Sequence, residues 1–375
     1  MSPFQPFEME RMMSRWENVV DYNLSESGVH PVTLRELLSD DPAMLEALLD
    51  TELNYPQANG IIELRQNIAA LYPAATPDHV LVTVGCIEAN FITLQTLLAP
   101  GDEMAIMLPN YMQIWGLAKN MGLHMRPFHL KEEQGWALDV DGLNKAVTNR
   151  TKLIAVCNPN NPTGYILTEA EMDAIVAAAG RVGAWILADE VYNGAERLTD
   201  RQTPSFWGRY ERVLAMNSLS KAYGLPGLRT GWVVGPIDTV DQIWARHEYV
   251  TISNTMLSNK LAALALSAQV RPRLIQRARQ YIRRGFPILD GWLESHEGTF
   301  SLVPPQAAAI CFVRYHLEVN SVVFVERLMR EKSALIVPGD HFGLDHHFRI
   351  SYGLPPDYLR GGLDRIHELI VEYQR

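Results

Sequence analysis

The stretch "RVLAMNSLSKAYGLPGLRTG", residues 212–231, passes without a break from one kind of sequence to another. It opens on the apolar run Val213–Met216, the composition of a strand buried on both faces of a parallel sheet. It continues rich in serine, glycine and proline, with one lysine, Lys221, held among small residues. Ligands of such sheets bind beyond the carboxyl ends of the strands, where each strand gives way to its turn. What else the chain delivers to that edge decides what Lys221 can do.

Four more strands are read upstream, in "HVLVTVG" (79–85), "EMAIMLP" (103–109), "TKLIAVCNP" (151–159) and "AWILADE" (184–190). Helical patterns separate the first of them, "EANFITLQTLLA" (88–99) and "MQIWGLAKNMG" (112–122), the second closed by glycine. The alternation predicts an α/β fold with a mostly parallel sheet covered by helices. Asn161, Asp189 and Ser218 to Lys221 all fall where a strand stops, so the fold predicts that they meet in one crevice.

Beyond about residue 240 the pattern changes to long helices, "VDQIWARHEYVTISNTMLSNKLAALALSA" and "RPRLIQRARQYIRRGFPILDGWLESH". Strand-like pieces follow, "AAAICFVRY" (307–315), "SALIVPG" (333–339) and "HFRISYG" (347–353), before a last amphipathic helix. This predicts a smaller α+β domain. The expected division is an N-terminal arm over 1–40, a large domain over 41–270 and a small C-terminal domain over 271–375. The helical stretch "PFEMERMMSRWENVV" in the arm is too short to stand alone and must lie on the body.

Composition narrows the class of function. The 375 residues are 47% hydrophobic and 20% charged, ordinary for a globular chain. A formal net charge of −10 argues against broad binding to nucleic acid or anionic membranes. Three cysteines, Cys86, Cys157 and Cys311, with no C-x-x-C spacing, suggest neither a disulfide framework nor a zinc site. The N-terminus carries acids and a proline where a signal peptide would be apolar, and no run reaches the roughly 18 apolar residues of a membrane helix. A cytoplasmic location is the expectation.

Four motifs carry chemistry. Around Lys221, Ser218 and Arg229 suit a phosphate, and Gly224, Gly227 and Gly231 allow close backbone approach to a ligand. A lysine at a strand end is otherwise a solvated surface group. "NPNNPTG" (158–164) is either a tight loop or a loop that aims the Asn161 amide at a ligand oxygen. "LADEVY" (187–192) ends a buried strand on Asp189, either a helix cap or the partner of a protonated ring nitrogen, with Tyr192 just beyond. "TVGCIEAN" (83–90) is a strand–glycine–helix junction whose free N–H groups suit a phosphate, and Glu88 reads as a first-turn acid favourable to the helix dipole.

With these motifs in this order, the chain resembles the fold-type I pyridoxal 5′-phosphate (PLP) enzymes, specifically the class I/II aminotransferases. The resemblance runs from "YPQANGIIELR" (55–65) to "FRIS" (348–351). It implies a mostly parallel seven-stranded sheet in the large domain and PLP as cofactor. Lys221 would form the Schiff base and then shuttle a proton, so that Lys221, Asp189 and Tyr192 are the catalytic set. Asp189 would pair with the ring nitrogen, Asn161 and Tyr192 with the ring oxygen, and Tyr111 of "PNYMQIW" would stack on the ring. The phosphate would lie on the backbone of Cys86 and Ile87, on Ser218 and Arg229, and on Tyr55 from a second subunit. A homodimer with shared sites follows, with no metal, nucleic acid or membrane partner. Arg349 of "FRIS" would clamp the substrate carboxylate, which suits a planar guanidinium, and Gly28, Ser27 and Asn161 would line the substrate side.

The segment "NLSESGVHPVTLREL" (23–37) departs from the aminotransferase pattern. Together with "FEMERMMSRWE" it is more similar to the arginine-cyclising PLP enzymes of the capreomycidine synthase kind, which eliminate a β- or γ-substituent and close a guanidine ring. Glu10, Ser25 and Ser27 are then candidates to deliver or withhold a proton, or else a solvated helix acid and ordinary turn serines. Three readings stand: transamination between an amino acid and a 2-oxo acid, a PLP-dependent lyase or cyclase, and a non-catalytic regulatory module of the same fold. The histidines of "HFGLDHHF" (341–348) lack metal-ligand spacing.

Overall fold

Eight strands of the computed structural model, which describes residues 4–39 and 42–374, form one sheet. In spatial order these are Val80–Val84, Thr230–Val234, Val213–Ser218, Trp185–Asp189, Thr151–Cys157, Glu103–Leu108, His124–Lys131 and Ala137–Leu138. The four pairings from Val213–Ser218 to His124–Lys131 are all parallel, and Thr230–Val234 runs antiparallel to both of its neighbours. Ala137–Leu138 adds a two-residue eighth strand to the seven expected, folding back on Leu130 and Lys131. Thr151–Cys157, Trp185–Asp189 and Val213–Ser218 are buried throughout except at Lys152 and Trp185, as their apolar runs require.

The five strands read from the sequence form within two residues of the expected ends. Besides the two-residue Ala137–Leu138, two longer strands were not expected. His124–Lys131 carries histidines, arginine and proline because it lies near the sheet margin with several residues exposed. Thr230–Val234 follows the glycine-rich turn immediately and is only five residues long. The long helix expected from residue 240 is two helices, Ile237–His247 and Met256–Leu266. Ile252 sits at φ +65°, which no helix continues through, and Thr255 caps the second helix by accepting from the Ser258 N–H.

A second, antiparallel sheet orders Phe300–Leu302, Ile310–Tyr315, His347–Ser351 and Val337–Pro338. Helices Arg271–Glu294, Ser321–Lys332 and Pro356–Tyr373 belong to this part, and one apolar cluster runs from Trp232 and Ala215 of the large sheet to Ile350 and Leu363. "SALIVPG" splits: Ala334–Leu335 pairs in parallel with Tyr22–Asn23 of the N-terminal segment, and only Val337–Pro338 joins the antiparallel sheet.

The N-terminal helix, Glu8–Trp16, buries Met9 and Met13 in a cluster with Phe128, Val156 and Phe312. It therefore spans the seam between the two sheets. The expected arm boundary at residues 40 and 41 lies outside the described residues. Among those residues, no helix is long and apolar enough to cross a membrane.

Candidate active site

A cavity of about 250 Å³ opens at the carboxyl edge of the large sheet. Its floor is made by the ends of adjacent strands, where Cys157 and Asp189 are register partners. Asp189 is buried, and one of its oxygens accepts from the Val191 N–H at 3.2 Å. Burial pushes its pKa up to about 6, against hydrogen bonds from Val191 and the Asn90 amide and the charge of Lys221.

Beside this floor the chain turns from Val80–Val84 into the helix Gly85–Leu97, whose first-turn N–H groups have no partner within the helix. Gly85 is at φ +75°, and a Cβ there would lie 2.6 Å from an Arg229 nitrogen. A Cβ on Gly231 would lie 2.4 Å from the Cys86 nitrogen. Cys86, Ile87, Ser218, Ser220 and Arg229 thus bound one concave wall of the cavity. Arg229 Nη1 donates to the Pro226 carbonyl at 3.1 Å, which holds the guanidinium across this wall.

Lys221 lies at the cavity wall between the two sheets. Desolvation pulls its pKa below the ordinary lysine value; Glu26 opposes this and Arg349 reinforces it. Tyr192 is 1% exposed, and its hydroxyl makes no hydrogen bond within the described residues. Burial raises its pKa, with Arg349 and the neighbouring Ser27 hydroxyl opposing. Arg349, on the second sheet, is also 1% exposed. It donates from Nη1 to Asn161 Oδ1 at 3.2 Å and from Nη2 to the Ser25 carbonyl at 2.6 Å, leaving Nε without a partner.

The N-terminal segment closes the cavity with carboxylates. Glu10 accepts from the Tyr111 hydroxyl at 2.8 Å, and Tyr111 packs against Phe7 at 5.2 Å between ring centroids. Glu17 and Glu26 line the same cavity. Burial raises the Glu17 pKa, and Glu26 and Glu10 raise it further, so the three share one field. Among the described residues none of them has a cation within ion-pair distance.

The residues picked out in the sequence therefore meet, with three exceptions. Ser25 does not line the cavity, and its hydroxyl donates to Asn23 Oδ1 at 2.7 Å. Tyr55 is 79% exposed and lies away from this chain's cavity. Gly28 does not line it either; it lets the backbone pass Ser220, whose carbonyl would be 2.9 Å from a Cβ. The expectation that Gly224, Gly227 and Gly231 bring backbone against a ligand needs correcting. Gly224 packs on Val29 and His30, Gly227 faces open space, and Gly231 packs on Cys86. Glu88 is a buried, hydrogen-bonded carboxylate and not only a dipole partner. Burial raises the Cys86 thiol well above its ordinary pKa, the opposite of a reactive thiolate. His347 contacts Glu132 and stacks on Phe312, and no group of three metal-binding side chains occurs among the described residues. Glu17 went unnoticed in the sequence because a single acid after a short amphipathic helix carries no pattern.

Known proteins match this arrangement over almost its full length. Capreomycidine synthase of Streptomyces vinaceus is 33% identical, covering 94% of this chain and 90% of its own. The structure of a PLP-dependent aminotransferase from Streptococcus suis superposes with a TM-score of 0.92 at 29% identity, covering 100% of this chain and 99% of that one. That of a PLP-dependent cyclase, OrfR, superposes at 0.88 with 26% identity, covering 98% and 97%. The fold is that of the fold-type I PLP enzymes. The family model "Aminotransferase class I and II" matches residues 28–366, and the chain belongs to this PLP-dependent family.

Proposed function

We propose that the protein is a PLP-dependent aminotransferase for α-amino acids with a cationic side chain. Three features support a cofactor seat in this cavity: the orphaned Tyr192 hydroxyl, the buried Asp189 carboxylate, and the first turn of the helix Gly85–Leu97 beside Ser218 and Arg229. Cys86 and Ile87 N–H, Ser218 and Arg229 would hold the phosphate, with Tyr55 of the partner subunit in a homodimer. Asp189 would face the ring nitrogen, Asn161 and Tyr192 the ring oxygen, and Tyr111 the ring face. When bound, PLP supplies an electrophilic carbon and a ring that stabilises negative charge at the substrate α-carbon.

The chain's own residues do the rest. Lys221 Nζ, whose pKa desolvation lowers, presents an amine placed to carry the proton to and from the substrate α-carbon. Arg349 receives the α-carboxylate through its free Nε edge. The N-terminal helix and the Glu26–Gly28 turn cover the cavity and exclude water.

The charge layout of the cavity carries this reading. Four carboxylates, Glu10, Glu17, Glu26 and Asp189, face three cations, Lys221, Arg229 and Arg349. Once a phosphate occupies Arg229 and a substrate carboxylate occupies Arg349, the three carboxylates of the N-terminal segment favour a positive side chain. The test is a half-reaction screen of PLP-loaded protein with arginine, lysine and ornithine against aspartate and phenylalanine, following 2-oxo acid and the amine form of the cofactor. Preference for the cationic set supports the proposal; preference for aspartate or phenylalanine refutes it.

A second reading is a PLP-dependent lyase or cyclase on a similar substrate, favoured by the 33% identity over 94% of the chain to a capreomycidine synthase. Its mark is a product that has lost water or another leaving group, with no 2-oxo acid formed.

A further inference from the structure

Behind the wall formed by Gly85 to Ile87 lies a buried pair that no part of the proposed chemistry uses. Glu88 is 6% exposed and His247 fully buried, and His247 Nδ1 is 2.9 Å from Glu88 Oε1. The other Glu88 oxygen accepts from the Val84 N–H at 2.5 Å, directly before Gly85, and the Thr251 hydroxyl donates to Oε1 at 2.7 Å. On the far side, His247 Nε2 is 3.1 Å from the Ala58 carbonyl, in the turn that also carries Tyr55. A carbonyl oxygen only accepts, so Nε2 bears a proton. Burial by itself would raise the Glu88 pKa, but the hydrogen bonds from His247, Val84 and Thr251 outweigh it and hold Glu88 ionised. Nδ1 faces that carboxylate, so both ring nitrogens of His247 meet acceptors, at the C-terminal end of its helix, where the dipole favours a cation.

The arrangement needs both partners. A carboxylate is the group that fixes the Val84 N–H and the turn after it, yet its negative charge two residues from Cys86 opposes any phosphate bound there. His247 cancels that charge and ties the cradle to the 55–60 turn. We propose that Glu88 and His247 are positioning residues for phosphate binding: Glu88 sets the Val84–Ile87 turn, and His247 neutralises Glu88 while joining it to the segment carrying Tyr55. The inference rests on the cofactor seat proposed above.

The test compares cofactor-stripped wild type, His247→Asn and the double variant Glu88→Gln/His247→Asn for binding of PLP and of pyridoxal, which lacks the phosphate. His247→Asn keeps a donor toward Glu88 and leaves its charge uncompensated. PLP affinity is expected to fall about tenfold or more in His247→Asn, with pyridoxal affinity unchanged and part of the loss recovered in the double variant. The 31P resonance of bound PLP should shift in the same order. Equal PLP affinity in wild type and His247→Asn, or equal loss of PLP and pyridoxal, overturns the proposal. Wild type that binds neither compound refutes the cofactor seat itself.

Discussion

Arg349 Nη1 donates to Asn161 Oδ1 at 3.2 Å, a bond between the antiparallel sheet and the turn that ends a central strand of the large one. The substrate side of the site exists only where these two parts of the chain meet.

Replacement of Arg349 should therefore damage recognition of the carboxylate. Arg349→Ala strands the Ser25 carbonyl and Asn161 in a buried place, and kcat/KM for the amino acid should fall by roughly 3 kcal/mol, or two orders of magnitude. Arg349→Lys should recover little, because an ammonium cannot make the forked contact. The matching amino-acid amides, which lack the carboxylate charge, should lose far less in both variants. Equal losses for acid and amide would refute the clamp.

Protonation of Asp189 and of its chain neighbour Glu190, which is hydrogen-bonded to Ser205 and Phe206, should make the stability of the cofactor-free protein pH-dependent. Burial pushes Asp189 up to about 6 and Glu190 up to about 7, above their ordinary carboxylate values. The folded state thus binds these protons more tightly than the unfolded chain. Their contribution is fully present below the ordinary carboxylate range and is lost as pH rises through about 6 and 7. Asp189→Asn should stabilise the fold at pH 8 by on the order of 1–3 kcal/mol, read as a higher Tm, and leave stability nearly unchanged at pH 4. A variant less stable than wild type at pH 8 would contradict this. PLP should stabilise wild type more than Asp189→Asn.

Shared sites can be tested by mixing subunits. Lys221→Ala removes the amine and Tyr55→Ala removes the contribution proposed for the partner subunit. A mixed dimer then has one site with both lesions and one with neither, so activity at limiting PLP should return on mixing. Failure to recover, with dimers present by sedimentation, would place Tyr55 outside the partner's site. Exposed apolar side chains near it, Leu49, Leu53 and Ile62, supply surface for such an interface.

Two glycines of one helix should respond oppositely to the same change. A Cβ on Gly285 would fall 1.7 Å from the Tyr352 carbonyl oxygen, so Gly285→Ala must push the helix Arg271–Glu294 off its support. A loss of about 3 kcal/mol or more is expected, read as a Tm lowered by several degrees. Gly291 meets nothing within 4 Å, and Gly291→Ala should stabilise by roughly 0.5–1 kcal/mol through helix propensity. Similar Tm changes in both variants would contradict the packing described.

Much of this was legible beforehand because buried parallel strands need long apolar runs, and these ended on Cys157, Asp189 and Ser218 as the turn chemistry suggested. Strands without that pattern were not legible: His124–Lys131 is half exposed, and Thr230–Val234 is hidden behind its own turn. The site followed the same division. Residues in ordered motifs were found, whereas Glu17 and His247 act through neighbours remote in sequence, His247 being 159 positions from Glu88. Such pairs leave no periodic trace, since only the fold brings them together.

The side chains proposed to select the substrate, Glu10, Glu17, Glu26 and Ser27, sit on one short continuous segment, apart from the strand that ends on Asp189 and the turn that bears Lys221. That segment grips the body through Met9, Met13 and a two-residue strand pairing. On the proposed assignment, specificity and chemistry would lie in separate stretches of the chain. Grafting residues 4–28 from a relative with another appetite should transplant diet without disturbing the machinery that digests it.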